Sequence, residues 1–223
     1  MSAWLGNALS RAEAVDDWLT PQRRLALGKL RDTPWPNRKT EAWKYTSLLV
    51  LADAEFSTGD VGGSEAESIA GLQAIELCFV DGELRGVPEN LPPGLSLVPL
   101  AAALPADQDW VSGSFAQIKP QQHLFGLVND ALATSGVIVD VAAGCEIEQV
   151  LRITSVMSAG SETHTRLLVR LGAGAKLAVA EHYCGDQASF NTGFAEYEVG
   201  SRAQLEHYRF ALQTDDAMSV GGS

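Results

Sequence analysis

The stretches VDVAAGCEI (residues 139–147), VRLGAGAKL (169–177) and YEVGSRAQL (197–205) align with one another without gaps. Each has an alternating strand pattern, a tight turn of small residues, a further small residue, a polar residue and a Leu or Ile. Their first residues lie 30 and 28 positions apart. A near-constant period of this size is typical of stacked repeats, because one such unit cannot close a core alone. Since the units carry only strand patterns, the repeat favours a β-helix over a β-sandwich with a coincidental repeat.

The composition is that of a folded, acidic protein. The chain has 223 residues, of which 46% are hydrophobic, enough to bury a substantial core. Sixteen Lys and Arg stand against 28 Asp and Glu, and the resulting net charge of −12 repels nucleic acid and anionic membrane surfaces. We therefore expect neither nucleic acid nor a membrane among the partners.

The chain shows no feature of an exported or membrane-spanning protein. No basic region followed by an apolar segment marks its N-terminus, and the most apolar stretch, Leu95 to Ala106, is short and contains two prolines. Cys78, Cys145 and Cys184 lie far apart and form no C-x-x-C pair, so neither a disulfide framework nor a zinc knuckle is indicated. These features predict a cytoplasmic location.

The N-terminal segment has the apolar spacing of two short helices. Apolar residues recur every three or four positions from Trp4 to Leu19, and Pro21 interrupts the pattern. A second helix is predicted from Pro21 to about Arg31, because proline is tolerated in the first turn. Both helices are too short to be stable alone, and we expect them to pack against another layer.

Three regions follow from these patterns. Residues 1–50 form an N-terminal helical region with an aromatic signature, and residues 136–223 form the first part of the β-helix core. Residues 51–135 connect them as a mixed α/β region. Within this connection, residues 57–71 are rich in Gly, Ser and acidic residues and predict an exposed linker.

The connecting region contains two strand patterns and one helix pattern. Ile75–Val80 predicts a strand, Asp81-Gly82 predicts a hairpin turn, and Ser96–Leu100 predicts another strand. Apolar spacing from Leu124 to Leu132 predicts a helix, and Gly136 is placed to end it.

The stretch PWPNRKTEAWKYTSL (residues 34–48) raises the question of why two large aromatic residues follow a proline-rich arm. If this stretch were a strand, Glu41, Trp43 and Tyr45 would lie on one side. Trp43 and Tyr45 would then seal the helical layer onto the next layer, or, as a sharper alternative, form a ligand platform.

A glycine-rich stretch, LGAGAK (residues 171–176), invites a phosphate-loop interpretation. The third glycine of G-x-G-x-x-G is missing, no Gly-Lys-Ser/Thr follows, and the next residues alternate as a strand. The stretch therefore predicts a structural turn between stacked strands. Cys145 fills the same repeat position as Ala175 and Ala203, which favours a packing role for it.

Two related segments, AEHYC (residues 180–184) and LEHYR (205–209), contain candidate metal ligands. On a strand, His182 and Cys184 share one face while Glu181 points the other way, and His207 on a neighbouring strand could add a third donor for a soft metal. The two segments begin at positions of the repeat that differ by three residues, so His182 and His207 are not expected to stack directly, which argues against this site. A buried His and a buried Cys with ordinary packing roles remain the alternative.

Catalytic patterns are incomplete. His164 and Thr165 lie near Glu162 in the sequence, but no Ser occurs in a G-x-S-x-G context and no His-x-His pair of a cupin is present.

A β-helix enzyme acting on carbohydrate needs carboxylates grouped on one face. The candidates for such a group are Glu146, Glu148, Glu196 and Glu198, but the repeat does not align them. This enzyme, and a small metal-binding module around His182 and Cys184, remain the alternative functions.

Several motifs in a common order resemble the SufB/SufD family of iron–sulfur cluster assembly proteins, on its SufD branch. The motifs are Arg38-x-x-Glu41-x-Trp43-Lys44-Tyr45-Thr46, the segment from Arg166 into Gly-Ala-Gly-Ala, the strand from Asn191 to Glu196, and Leu205–Arg209. The resemblance implies an N-terminal helical region, a right-handed parallel β-helix and a C-terminal helical region. The first two agree with the spacing and the repeat.

The resemblance also implies a role. Proteins of this family pair a SufD-like with a SufB-like subunit along their β-helices, and each holds a SufC-like ATPase in a cytosolic scaffold. SufD-like subunits are not enzymes and are linked to iron acquisition, so iron or a cluster would be handled transiently by the complex. The resemblance assigns no catalytic, cofactor-binding or metal-binding residue to this chain and leaves a homodimer open.

One departure from the family pattern concerns length. The chain stops at Val220-Gly-Gly-Ser, in mid-core, whereas relatives continue. We expect the absent part to hold further coils, the SufB-facing surface and the helices that hold SufC. A β-helix cut across a coil exposes an unpaired edge, so we expect a chain of 223 residues to be less soluble than an extended form.

Overall fold

The computed structural model describes residues 2–58, 66, 68–116, 123–185, 187–214 and 216–222. The α-helices are α1 (Ala3–Ala14), α2 (Thr20–Asp32), α3 (Leu49–Ala52), α4 (Pro105–Ser114) and α5 (Leu124–Leu132), with 3₁₀ turns at Glu41–Trp43 and Leu100–Ala102. The strands are β1 (Ala74–Val80), β2 (Glu83–Leu84), β3 (Leu95–Pro99), β4 (Ser135–Val141), β5 (Val150–Val156), β6 (Glu162–Leu171), β7 (Lys176–Gly185), β8 (Phe190–Val199), β9 (Gln204–Gln213) and β10 (Met218–Gly222).

The strands form two facing sheets. The first sheet has the order β2-β1-β5-β7-β9, and the second has the order β10-β8-β6-β4-β3. From β4 to β10 the chain alternates between the two sheets, and the paired strands of successive coils are parallel. The result is a β-solenoid of about three turns preceded by helices, so the predicted mainly β, β-helix class is confirmed.

The three repeats pair in the second sheet in the same register in which their sequences align without gaps. Val139 on β4 pairs with Val169 on β6, and Val169 pairs with Tyr197 on β8. The two valines belong to the apolar core between the sheets, and Tyr197 packs against it. Because a slip of one residue would turn every side chain to the opposite face, the shared apolar pattern fixes this register.

The glycine-containing turns of successive coils also stack. The N–H of Gly144 donates to the carbonyl oxygen of Ala173 over 2.9 Å, and the N–H of Gly174 donates to that of Ser201 over 2.9 Å. A Cβ at Gly172 would lie 2.5 Å from the backbone nitrogen of Ala143, so this position has room only for glycine. The LGAGAK stretch is thus a turn between stacked strands, as predicted.

The connecting region supplies the first strands of both sheets. β1 runs parallel to β5 and makes a two-residue hairpin with β2, as predicted from Asp81-Gly82. Asp81 and Gly82 both have positive φ, 48° and 86°, as a type I′ turn requires. β3 pairs with β4 antiparallel and contains most of the predicted strand Ser96–Leu100.

In the described part of the chain, helices pack on the outer face of the second sheet. Leu127 and Val128 on α5 belong to one buried cluster with Phe190 and Phe194, which point outward from β8. Apolar residues of α1 and α2 complete this cluster. A third cluster joins Val111 on α4 to outward-facing residues of β4 and β6. The predicted packing of the N-terminal helices on another layer is therefore confirmed.

Both N-terminal helices begin where the sequence predicts. The side chain of Ser2 caps α1 by accepting a hydrogen bond from the N–H of Leu5 over 3.1 Å. Pro21 lies in the first turn of α2, and the helix continues to Asp32. Within the described ranges, no helix is both long and apolar enough to cross a membrane.

The prediction that Gly136 ends α5 is wrong. The helix ends at Leu132, and Gly136 lies inside β4 opposite Arg166 of β6. A Cβ at this position would come within 2.2 Å of the carbonyl oxygen of Arg166, so the glycine permits close approach of two strands.

Most of the predicted exposed linker at 57–71 cannot be compared with the structure, because residues 59–65 and 67 lie outside the described residues. The first residue of that stretch, Ser57, is held by backbone hydrogen bonds from its N–H to Gly160 (2.8 Å) and from the N–H of Glu162 (2.7 Å).

Candidate functional site

His182 and Cys184 lie on the outer face of β7, and Glu181 points into the solenoid, as the strand pattern predicted. Nδ1 of His182 accepts a hydrogen bond from Nε of Arg152 over 3.1 Å. The same guanidinium donates through Nη1 to both carboxylate oxygens of Glu76, over 3.2 and 3.1 Å. Burial first and the Arg152 charge second lower the pKa of His182. His182 is therefore a neutral acceptor in a polar row that crosses β1, β5 and β7.

The three candidate metal ligands do not converge. Burial raises the pKa of Cys184, although the charge of Arg152 opposes this effect, so the side chain is held as a thiol. His207 points into the solenoid on the opposite face of the sheet, where it contacts Glu181. Among the described residues, no group of three His, Cys, Asp or Glu side chains could hold a metal ion.

A buried polar cluster inside the solenoid is built around Glu181. Its Oε1 accepts hydrogen bonds from Nε2 of His207 (2.6 Å) and Nη2 of Arg209 (2.9 Å), and its Oε2 accepts one from the hydroxyl of Tyr183 (2.7 Å). Burial raises the pKa of Glu181, but the His207 hydrogen bond, the Arg209 charge and the Tyr183 hydroxyl outweigh it, and the pKa lies below its ordinary value. The cluster thus holds a carboxylate, and it ties β7 to β9.

Sequence reasoning missed this cluster although it noted both Glu-His-Tyr segments. The strand alternation placed Glu181 away from His182, which is correct. The partner of Glu181 is His207, which pairs in register with Val179, two residues earlier on β7. The two segments are offset from each other along the paired strands. Because of this offset, the imidazole of His207 on β9 reaches diagonally to the carboxylate of Glu181 on β7.

A second cluster has the geometry of a catalytic triad. Nε2 of His164 lies 2.9 Å from Oε1 of Glu162, and Nδ1 of His164 lies 2.7 Å from Oγ1 of Thr192. Because an ionised carboxylate only accepts, Nε2–H of His164 donates to Glu162, and Nδ1 of His164 faces the Thr192 hydroxyl. The sequence placed Glu162 and His164 together but gave no sign of Thr192, which lies on β8.

Helices α1 and α5 contact two members of this triad-like array. Thr192 is fully buried, and its Oγ1 also accepts a hydrogen bond from Nδ2 of Asn129 on α5 over 3.0 Å. Nε1 of Trp4 on α1 donates to Oε2 of Glu162 over 3.0 Å, and Arg11 forms a salt bridge with the same carboxylate. The array joins α1 and α5 to the second sheet, and the Thr192 hydroxyl is buried beneath α5.

Glu162 is ionised within this array. Burial raises its pKa, while hydrogen bonds and charges from His164 and Arg11 lower it by more, so that the pKa lies below the ordinary value. The carboxylate is matched by cationic and polar donors from α1 and β6, as a buried charge requires.

The four carboxylates considered for carbohydrate hydrolysis are dispersed. Glu196 is buried and accepts from Nη1 of Arg166 over 3.0 Å, under the helical layer. Glu198 accepts from Nε1 of Trp110 over 2.6 Å.

The other two carboxylates of that set lie at the solenoid turns. Glu146 is exposed and forms a salt bridge with Lys176 over 2.9 Å, and Glu148 is exposed on the same segment. The set therefore does not form the paired acid and base that glycoside hydrolysis requires.

The aromatic signature is a turn and not a strand, so its predicted one-sided arrangement is wrong. The segment contains hydrogen bonds between residues three positions apart. The N–H of Trp43, for example, donates to the carbonyl oxygen of Thr40 over 2.9 Å. Trp43 packs on Phe125 with ring centroids 5.2 Å apart, so it seals the helical layer as expected. Tyr45 is 91% exposed and seals nothing.

Beside this turn lies a surface groove of about 630 Å³. Its floor and walls are formed by Trp43, Leu124, Leu127 and two prolines, and its rim carries charged and polar side chains. The residues that line it are Lys29, Asp32, Thr33, Pro34, Pro36, Thr40, Trp43, His123, Leu124 and Leu127.

Three curated relatives are similar to nearly the whole of this chain. The iron–sulfur cluster assembly protein SufD of Escherichia coli is 27% identical in an alignment 222 positions long, which covers 90% of this chain and 48% of that protein. The chloroplastic protein ABCI7 of Arabidopsis thaliana is 24% identical in an alignment 226 positions long, which covers 89% of this chain and 47% of that protein. An iron–sulfur cluster assembly SufBD family protein of Synechocystis is 23% identical in an alignment 227 positions long, which covers 92% of this chain and 50% of that protein. The resemblance to the SufB/SufD family is confirmed.

The chain spans about half the length of the curated SufB/SufD relatives that it matches. No protein-family model matches it. The similarity therefore rests on the three relatives and on the agreement of the predicted and observed solenoid.

Most residues that carry the SufB/SufD resemblance are structural in this chain. His207 and Arg209 bind Glu181 inside the solenoid, and Trp43 packs on Phe125. Tyr45 and Tyr208 do not share this role, because their side chains are exposed.

Proposed function

We propose that this chain is part of a non-enzymatic scaffold subunit for iron–sulfur cluster assembly in the cytoplasm. The observation that carries the proposal is the similarity of about 90% of the chain to proteins of the SufB/SufD family, two of which are named for this assembly. The observed β-solenoid supports it, because this is the architecture that the family resemblance implies.

The proposed partners are a SufB-like subunit and a SufC-like ATPase. A parallel solenoid is suited to such a scaffold, since each sheet ends in a strand with unpaired backbone groups that can pair with a further strand. Iron or a cluster would be cargo of the complex in this proposal.

The buried state of the Thr192–His164–Glu162 array supports a non-enzymatic role. Glu162 binds Trp4 and Arg11 of α1, Thr192 binds Asn129 of α5, and the Thr192 hydroxyl is buried. A nucleophile needs both a base and access to its substrate. The Thr192 hydroxyl has His164 beside it but is itself buried.

The proposal is tested with the complete gene in its own cells. Deletion is expected to lower the activity of iron–sulfur enzymes during iron limitation, and the intact gene restores it. The tagged product should co-purify with SufB-like and SufC-like subunits. Normal iron–sulfur enzyme activity in the deletion strain, together with a product that purifies without either subunit, would overturn the proposal.

A non-enzymatic role is tested separately on the E162Q and T192A variants. If the chain is a scaffold, each variant restores iron–sulfur enzyme activity in proportion to the amount of folded protein that it yields. A stable variant that accumulates normally but restores nothing would indicate a chemical role for the array.

A further inference from the structure

The groove beside the aromatic signature lies in a positively charged part of an acidic protein. Residues 29–44 contain five Lys or Arg and two acidic residues, a net charge of +3, whereas the remaining residues of the chain carry −15. Lys29 lies on the groove rim, and Arg38, Lys39 and Lys44 are exposed on the arm that follows it. A local field of this kind attracts a short acidic ligand, while the rest of the surface repels it.

The groove has a rigid apolar floor. Trp43 is held between Phe125 and His123, with ring centroids 5.2 and 5.9 Å away. His123 is fixed in turn because its Nδ1 accepts from the N–H of Gly126 at the start of α5, over 3.0 Å. The volume of about 630 Å³ falls within the range of sites that bind a few side chains or a small molecule.

Exposed apolar side chains continue from the groove along the chain. Tyr45, Leu49 and Val50 are 91%, 71% and 73% exposed, and they follow directly after the arm. Nζ of Lys44 lies 5.4 Å from the centre of the Tyr45 ring, so a cation and an aromatic face are presented together. Clustered exposed apolar residues that include tyrosine are typical of surfaces that bind proteins.

We propose that the groove and the exposed residues Lys44, Tyr45, Leu49 and Val50 form a docking surface for an acidic segment of another polypeptide. Apolar side chains of that segment would fill the groove over Trp43, and its carboxylates would face Lys29, Lys44 and the exposed arm. A short peptide fits this charge distribution better than a nucleic acid, because a long polyanion would also meet the −15 of the remaining surface. This inference goes beyond the scaffold role and does not depend on it.

The test uses the purified chain and a fluorescein-labelled peptide of about fourteen residues in which Glu alternates with Leu and Phe, the minimal pattern for a groove ligand. Fluorescence anisotropy should show saturable binding that weakens with added salt, and the same peptide with Lys in place of Glu should bind at least ~10-fold more weakly. Equal binding of both peptides, or no binding of the acidic one, would overturn the proposal.

Charge reversal locates the site. The double variant Lys29→Glu and Lys44→Glu should weaken binding of the acidic peptide at least ~10-fold, as expected when two attractive charges become repulsive. The matched control is Lys176→Glu with Arg202→Glu, which reverses two exposed charges at the solenoid turns and should leave the affinity unchanged. An equal loss in both pairs would show that only net charge matters, and the docking surface would be rejected.

A photo-crosslinking residue at position 45 gives an independent readout. The benzophenone replacement of Tyr45 should attach to the acidic peptide, and excess unlabelled peptide should suppress the attachment. The same replacement at Tyr208, which is 52% exposed on β9, should not attach. Equal attachment at both positions would contradict the assignment of the groove.

Discussion

Glu181 and His207 meet inside the solenoid, where Nε2 of the imidazole donates to the carboxylate over 2.6 Å. The two residues belong to neighbouring coils and are not register partners, since His207 pairs with Val179. The core between the sheets is mainly apolar, so this contact needs further donors to hold a charge away from water. Arg209 and Tyr183 supply them.

Removing the charge at position 181 should destabilise the protein strongly. In Glu181→Gln, Arg209 and His207 lose a buried anionic partner, and loss of one member of a buried charge cluster typically costs about 3 kcal/mol of unfolding free energy. Urea unfolding followed by circular dichroism measures the difference. The control is Glu146→Gln, because the exposed Glu146–Lys176 pair should contribute less than about 1 kcal/mol. Similar losses in the two variants would show that the interior cluster is no more important than a surface ion pair.

Replacing Gly136 should disturb the contact of two strands. A Cβ there would lie 2.2 Å from the carbonyl oxygen of Arg166, so Gly136→Ala forces β4 and β6 apart at a cost of about 3 kcal/mol or more. Gly28→Ala is the matched control, since no atom lies within 4 Å of the added methyl group. Alanine in this helix interior should stabilise the protein by about 0.5–1 kcal/mol. A Gly136→Ala variant as stable as the unsubstituted chain would contradict the close approach.

The repeats and the helices could be predicted because each depends on local periodicity. The gapless alignment of Val139, Val169 and Tyr197 is also their register in the sheet, since the same alternation that marks a strand decides which face is buried. The turn at Asp81-Gly82 could also be predicted from local sequence, because few residue pairs adopt the positive φ angles that it requires.

The polar clusters could not be predicted because their members come from distant segments. Thr192 meets His164 only through the stacking of β8 on β6, and Trp4 reaches Glu162 only because α1 lies on that sheet. Gly136 shows the same limit. A glycine after a helix pattern indicates a helix end. Gly136 is instead required because the backbone of Arg166, 30 residues later on β6, comes too close for a side chain.

The folded protein should lose stability in acid through Glu162 and Glu181. Both carboxyl groups have a pKa below the ordinary value of 4.5 in the folded state, because cationic and polar donors outweigh the effect of burial. The folded protein therefore binds these protons less readily than the unfolded chain. Their contribution to stability is fully present above about pH 4.5 and is lost as the pH falls through the folded-state pKa values.

Urea unfolding between pH 7 and pH 3 measures this dependence. The variant with both Glu162→Gln and Glu181→Gln should show a lower stability at pH 7 and a flatter decline in acid, since two of the groups that take up protons on unfolding are removed. If the decline below pH 4.5 were as steep in the double variant as in the unsubstituted chain, other carboxylates would have to be responsible.

Zinc titration should show no dependence on His182 and Cys184. Nδ1 of His182 accepts from Arg152, the pKa of Cys184 is raised by burial, and the third candidate, His207, faces the interior. A guanidinium beside the imidazole also opposes a cation. Calorimetry with Zn²⁺ is therefore expected to give the same weak binding for the unsubstituted chain and for the variant with both His182→Ala and Cys184→Ala.

The control is Cys78→Ala, which removes another half-buried thiol from the outer face of the first sheet. At least a ~10-fold loss of zinc affinity in the double variant alone, equivalent to about 1.4 kcal/mol, would restore the metal-binding module as a function of this strand.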